Sequence, residues 1–189
     1  MEQHWQPTEW GGGVAMKYQD CVEALQADDG LDGGPGVRLA DANINAATGL
    51  ATDYLNHFNE AIMLLEMLSS CPECRDDFLG WRPMSYREHF ATSRFKGRAI
   101  AIAACDAADP NLRGCLDTSA GTMTAVLEAT RAAMKSNIPP ESAVALAERA
   151  ATLLRPLVAR AGAMINGEDT ADAVEPVTPQ AVVDRLMKN

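Results

Sequence analysis

The chain has 189 residues, 47% of them hydrophobic, and a formal net charge of −10, so it is long enough for one packed domain and has the apolar content of an ordinary globular protein. Coating nucleic acid or an anionic membrane requires a basic footprint, which this balance excludes. No stretch reaches the ~18 apolar residues that span a bilayer, and the N-terminus lacks the basic and apolar regions of a signal peptide. Together with five scattered cysteines, this points to a reducing, cytoplasmic setting.

Charge is unevenly placed, with −6 over residues 1–37, −3 over 167–189 and −1 over 38–166. Residues 1–37 read as an acidic, Gly-rich arm with one short helical pattern at Val14, Tyr18, Val22 and Leu25. A long helix is expected from Asp41 to Ser70, because Ile44, Ala47, Ala51, Leu55, Phe58, Ile62, Leu65 and Leu68 recur at three-four spacing. Its second half, Ala61–Leu68, is apolar almost all round and predicts cover on most sides. Ser70 with Glu73 forms a capping-box pattern for a short helix over Cys71–Leu79, and Gly80 to Pro83 breaks the chain.

A second capping box, Ser85 with Glu88, opens a helix at Tyr86 that is expected to reach Ala108, with a weak point at Gly97. Asp109–Pro110 predicts a cap and a brief turn through Cys115, and the next helix is expected over Ser119–Ser136. The last long helix spans Pro140–Ile165, with a kink expected at Pro156 and a stop at Asn166–Gly167. An acidic linker then leads to a short amphipathic helix after Thr178–Pro179, with Val182, Val183, Leu186 and Met187. No alternating β-branched run occurs. The expected fold is therefore all-α: an up-and-down helical bundle over 38–166, with short extra helices and acidic ends.

Three constellations carry chemistry. Asp53, His57 and Glu60 fall at i, i+4 and i+7, so one helical stripe holds an imidazole and two carboxylates, and Glu88 with His89 supplies a second such pair. Carboxylates and histidines converge on metal ions in ferritin-like bundles, but those use Glu-x-x-His, whereas His57 and Glu60 stand in the reverse order. An exposed His57 on a bundle helix would also suit phosphotransfer. The plainer expectation is a histidine held at a helix interface.

Cys71-Pro72-Glu73-Cys74 is a C-x-x-C at a predicted helix start, where amide dipoles favour a thiolate. As half of a zinc site it would need Cys105 and Cys115, whose separation does not match a second zinc knuckle. Buried structural thiols are the simpler reading. Arg87, Arg94 and Arg98, at i, i+7 and i+11, would form one basic helix stripe able to hold an anion, or to pair with Glu88, Asp106 or the acidic arm. Serine in a nucleophile turn and a phosphate-cradling glycine loop are both missing. The sequence thus leads to a noncatalytic cytoplasmic interaction or regulatory protein. It would act by self-association or through a protein partner and need no cofactor, and a helical-bundle metalloprotein and a His57 phosphotransfer protein stand as alternatives.

Overall fold

Residues 39–55 do not enter the long helix that their apolar spacing predicts. In the computed structural model, which describes residues 39–136, 138–168 and 178–187, Leu39–Ala42 form a 3-10 turn and Asn43 takes a positive φ of 48°. The Asn45 side chain accepts from the N–H groups of Ala47 and Thr48, and Gly49 (φ 72°) turns the chain so that Ile44 and Ala51 form an antiparallel bridge. Bonds from elsewhere replace the helical ones. Ala51 N–H donates to the Tyr86 hydroxyl (2.9 Å), while Thr48 Oγ1 and Asn45 Nδ2 donate to the carbonyls of Ile165 (2.6 Å) and Asn166 (3.1 Å). A loop that caps the end of a distant helix outcompetes a helix of its own. The arm expected over 1–37 and most of the linker after 167 lie outside the described residues.

A second 3-10 turn, Thr52–Leu55, leads into helix α1, Asn56–Met67. This helix buries Phe58, Ala61, Ile62 and Leu65. Its second half is covered on one side only, contrary to expectation, since Met63 and Met67 are 50% and 42% exposed. Helix α2, Cys74–Gly80, starts without the Ser70–Glu73 box. Ser70 Oγ instead donates back to the Met67 carbonyl, and Glu73 is the N-cap without a side-chain bond.

The Ser85–Glu88 box does form, with Glu88 N–H on Ser85 Oγ (3.3 Å) and Ser85 N–H on Glu88 Oε2 (2.8 Å), and it opens helix α3, Tyr86–Thr92. The expected continuation to Ala108 is interrupted at Ser93. Ser93 Oγ donates to the Phe90 carbonyl and accepts from Phe95 N–H, which draws the backbone out of the helix. Helix α4 then spans Arg98–Ala107. Gly97 sits between the two because a Cβ there would stand 2.7 Å from Ala42 Cβ.

Asp109 caps helix α5 through the N–H groups of Asn111 and Leu112, with Pro110 at the first position, and the helix runs unbroken to Lys135. The expected turn at Cys115 does not occur. Gly114 lies in open space and costs only its ~1 kcal/mol of helix propensity, while Leu116, Ala120, Met123 and Leu127 bury the inner face. Helix α6 spans Pro140–Ile165 as predicted and continues through Pro156, which is exposed. Helix α7, Pro179–Met187, buries Val182 and Leu186.

The fold is all-α. Helix α6 packs against α1, α5 and α7, and α7 also lies on α5. Ala143, Ala147, Ala150, Ala151 and Ala161 are all buried, and their small side chains let these neighbours approach closely. Among the described residues no helix is long and apolar enough to cross a membrane.

Candidate functional site

His57 lies in the first turn of α1 and is 4% exposed. Trp81, just past the end of α2, stacks on its ring at 4.7 Å and 21°, and the Trp81 indole N–H donates to the His57 carbonyl (3.2 Å). Trp81 is itself held in place. Arg131 of α5 donates to its carbonyl (2.6 Å), and one Arg82 nitrogen donates to the carbonyls of Leu79, Gly80 and Trp81, closing off α2. His89, on α3, stands 6.2 Å from the His57 ring and 5.8 Å from Tyr54, whose hydroxyl donates to the Met84 carbonyl (3.1 Å).

This aromatic surrounding sets the protonation states. Burial and the neighbouring His89 push the His57 pKa down to about 4, against the backbone carbonyl of Arg82, which favours the charged ring. His89 is lowered by burial too, and the Asp53 charge and carbonyl oppose it. Burial, with the charges of Asp117 and Glu88, raises Tyr54 to about 12. At neutral pH the site therefore holds two uncharged imidazoles and a protonated phenol. His57 Nε2 is buried without a hydrogen-bond partner. A buried orphan of this kind is costly unless something meets it.

Beside that ring runs a groove of about 540 Å³ whose walls include His57, Glu60, Leu64, Asp76, Asp77 and Trp81. Its rim is acidic: Glu60, Asp76 and Asp77 are exposed there. The Arg82 guanidinium, also at the rim, is engaged with the three carbonyls that end α2. The exposed Met63 and Met67 fall three residues beyond Glu60 and Leu64 and so extend the same side of α1.

The polar set read from the sequence is only partly assembled. His57 and His89 are neighbours, and Asp53 acts on His89, while Glu60 is exposed on the groove and Glu88 is occupied by the Ser85 cap. The Arg87, Arg94 and Arg98 stripe does not exist as one helix face, because the helix breaks at Ser93: Arg87 is on α3, Arg94 in the connection and Arg98 begins α4. Arg87 pairs instead with Asp106 at 2.6 Å, one of the partners the sequence offered. It lines a second groove, of about 420 Å³, with Arg113, Cys105 and Asp117, where charges of both signs meet.

Among the described residues no group of three or more His, Cys, Asp or Glu side chains is placed to hold a metal ion. Cys71 and Cys74 touch, with sulfurs 2.6 Å apart; Cys105 is half-buried on α4 and Cys115 exposed on α5. Sequence reasoning missed Trp81 as the group stacked on His57, and Tyr54 as the ring beside His89. The one local signal was a tryptophan inside the Gly80–Pro83 break, where a large apolar residue in a loop implies a docking place. Compared with family models, with curated proteins and with solved structures, the chain matches none.

Proposed function

We propose that this chain is a noncatalytic cytoplasmic binding protein whose groove between α1 and α2 takes a basic, partly apolar segment of a protein partner. The observation that carries the reading is the pairing of an unsatisfied buried His57 Nε2 with an acidic rim. A lysine or arginine side chain lying over Glu60, Asp76 and Asp77 would be drawn by their charge, and a polar atom of the same segment would meet the imidazole. Met63 and Met67 supply pliable apolar contact next to it. The net charge of −10 steers a cationic partner towards the whole molecule. A neutral imidazole with no carboxylate on Nε2 has no relay for proton transfer, which favours binding over catalysis.

The test is titration with two peptides of equal length and apolar content, one lysine-rich and one glutamate-rich. Binding of the basic peptide is expected, weakening with salt. An Asp76→Asn, Asp77→Asn variant should lose about threefold to tenfold in affinity, as exposed pairs of this kind contribute ~0.2–1 kcal/mol each. Equal affinity for the two peptides, or no response to removal of the rim charges, would refute the reading.

A further inference from the structure

The two sulfurs of Cys71 and Cys74 are 2.6 Å apart, within about half an ångström of a ~2.05 Å disulfide bond. The contact is built by the backbone. Cys74 N–H donates to the Cys71 carbonyl (3.0 Å), so Pro72 and Glu73 form the tight turn that leads into α2 and bring both side chains to the same side. The two thiols differ in access, Cys71 being half-exposed and Cys74 buried. An accessible sulfur backed by a buried one, already in contact, is the arrangement that thiol–disulfide exchange needs: one thiol to meet an outside disulfide and a second to resolve the adduct.

We propose that Cys71 and Cys74 are a redox-active dithiol that reduces disulfides, with Cys71 as the attacking thiol and Cys74 as the resolving one. Cys71, as thiolate, attacks one sulfur of an external disulfide; an S–S bond forms between them and the other half leaves as a thiol carrying the displaced proton. Cys74 then gives up its proton and attacks Cys71 Sγ, expelling the second half as a thiol. The protein ends with a Cys71–Cys74 disulfide and the external disulfide as two thiols, so two electrons and two protons have passed outward and nothing else is consumed. The environment sets the direction. The hydrogen bond with Cys71, then burial, then the charges of Cys71, Asp77 and Glu73 raise the Cys74 thiol to about 11. A Cys74 that disfavours its thiolate gives up no stabilised anion when the bridge forms, the opposite of strongly oxidising C-x-x-C pairs.

The experiment uses the full chain, reduced, freed of reductant and treated with glutathione disulfide, then acid-quenched and digested with trypsin. Both cysteines lie in the single tryptic peptide 39–75, so a bridge is read there as a loss of two hydrogens. Wild-type protein should show that loss without retained glutathione. Cys74→Ser should trap glutathione on Cys71, and Cys71→Ser should leave Cys74 unmodified in the same time. In glutathione buffers, Glu73→Gln with Asp77→Asn should shift the pair several-fold towards the dithiol. Stable glutathione on both cysteines of the wild type, or an unmodified peptide 39–75, would overturn the proposal. Trapping on Cys74 rather than Cys71 would overturn the assignment of roles.

Discussion

The protonation of His57 ties the candidate site to the stability of the whole protein. Its pKa is about 4 in the folded chain and 6.5 when solvated, so between those values the unfolded chain binds a proton that the folded one refuses. Stability from this group is therefore intact above pH ~6.5 and is lost as pH falls towards 4, by about 3–4 kcal/mol in all at ~1.4 kcal/mol per pKa unit. His89, lowered in the same direction, adds to the trend. Urea unfolding at pH 7 and pH 4.5 should show the wild type losing more stability than a His57→Gln variant, by more than ~1 kcal/mol. Equal losses in the two proteins would mean that the imidazole is solvated. Helical spacing picks out His57, and the sequence puts His89 in the same polar set, but it does not disclose Trp81 as the ring stacked on His57. Its partners, Trp81 and His89, come from beyond a helix and two turns, and no local pattern encodes a contact across that separation.

At the scale of elements, one substitution should have opposite signs in two places. An alanine Cβ at Gly97 would stand 2.7 Å from Ala42 Cβ and 3.0 Å from the Phe95 ring, pressing the Leu39–Ala42 turn away from α4. Gly97→Ala should destabilise by about 1–3 kcal/mol, as overpacking does. Gly114→Ala meets open space in the second turn of α5 and should stabilise by up to ~1 kcal/mol. Denaturation midpoints moving the same way in both variants would contradict the close approach at Gly97. The elements also mark what a sequence can disclose. Helix α6 was legible at both ends because its signals are local: Pro140 at the start, unbroken apolar spacing, and Asn166–Gly167 at the stop. Residues 41–55 were not, since Ile44, Ala47, Ala51 and Leu55 keep helical spacing across Gly49, while the bonds that decide the matter run to Tyr86 and Ile165. In α5 the error was reversed: Asp109–Pro110 reads as opening only a brief turn through Cys115, whereas the cap starts one helix that runs to Lys135.

For the molecule as a whole, the question is whether the chain after residue 168 is an appendage or part of the core. Its sequence, an acidic linker and a short amphipathic helix, reads as an attachment to a bundle over residues 38–166. Helix α7 nevertheless lies on both α5 and α6, with Leu186 fully buried and Val182 nearly so, and Arg149 of α6 donates to the Leu186 carbonyl at 2.7 Å. A buried leucine contributes about 1.5–3 kcal/mol by transfer alone, and truncating one in a packed site costs about 2–5 kcal/mol. Leu186→Ala should therefore lower the unfolding free energy by about 2–4 kcal/mol. Ending the chain at Glu168 should cost at least as much and uncover an apolar strip on α5 and α6, seen as increased binding of a hydrophobic dye. Arg149→Met, which keeps an unbranched apolar stem but drops the guanidinium and its bond to the Leu186 carbonyl, should fall between wild type and Leu186→Ala. Because α6 also carries α1, and with it His57, loosening of the last helix should reach the groove. Trp81 lines that groove, and its fluorescence in a Trp5→Phe, Trp10→Phe background reports the change there. If the truncated chain unfolds at the same urea concentration as the full one, α7 contributes nothing to the core and residues 38–166 stand alone after all.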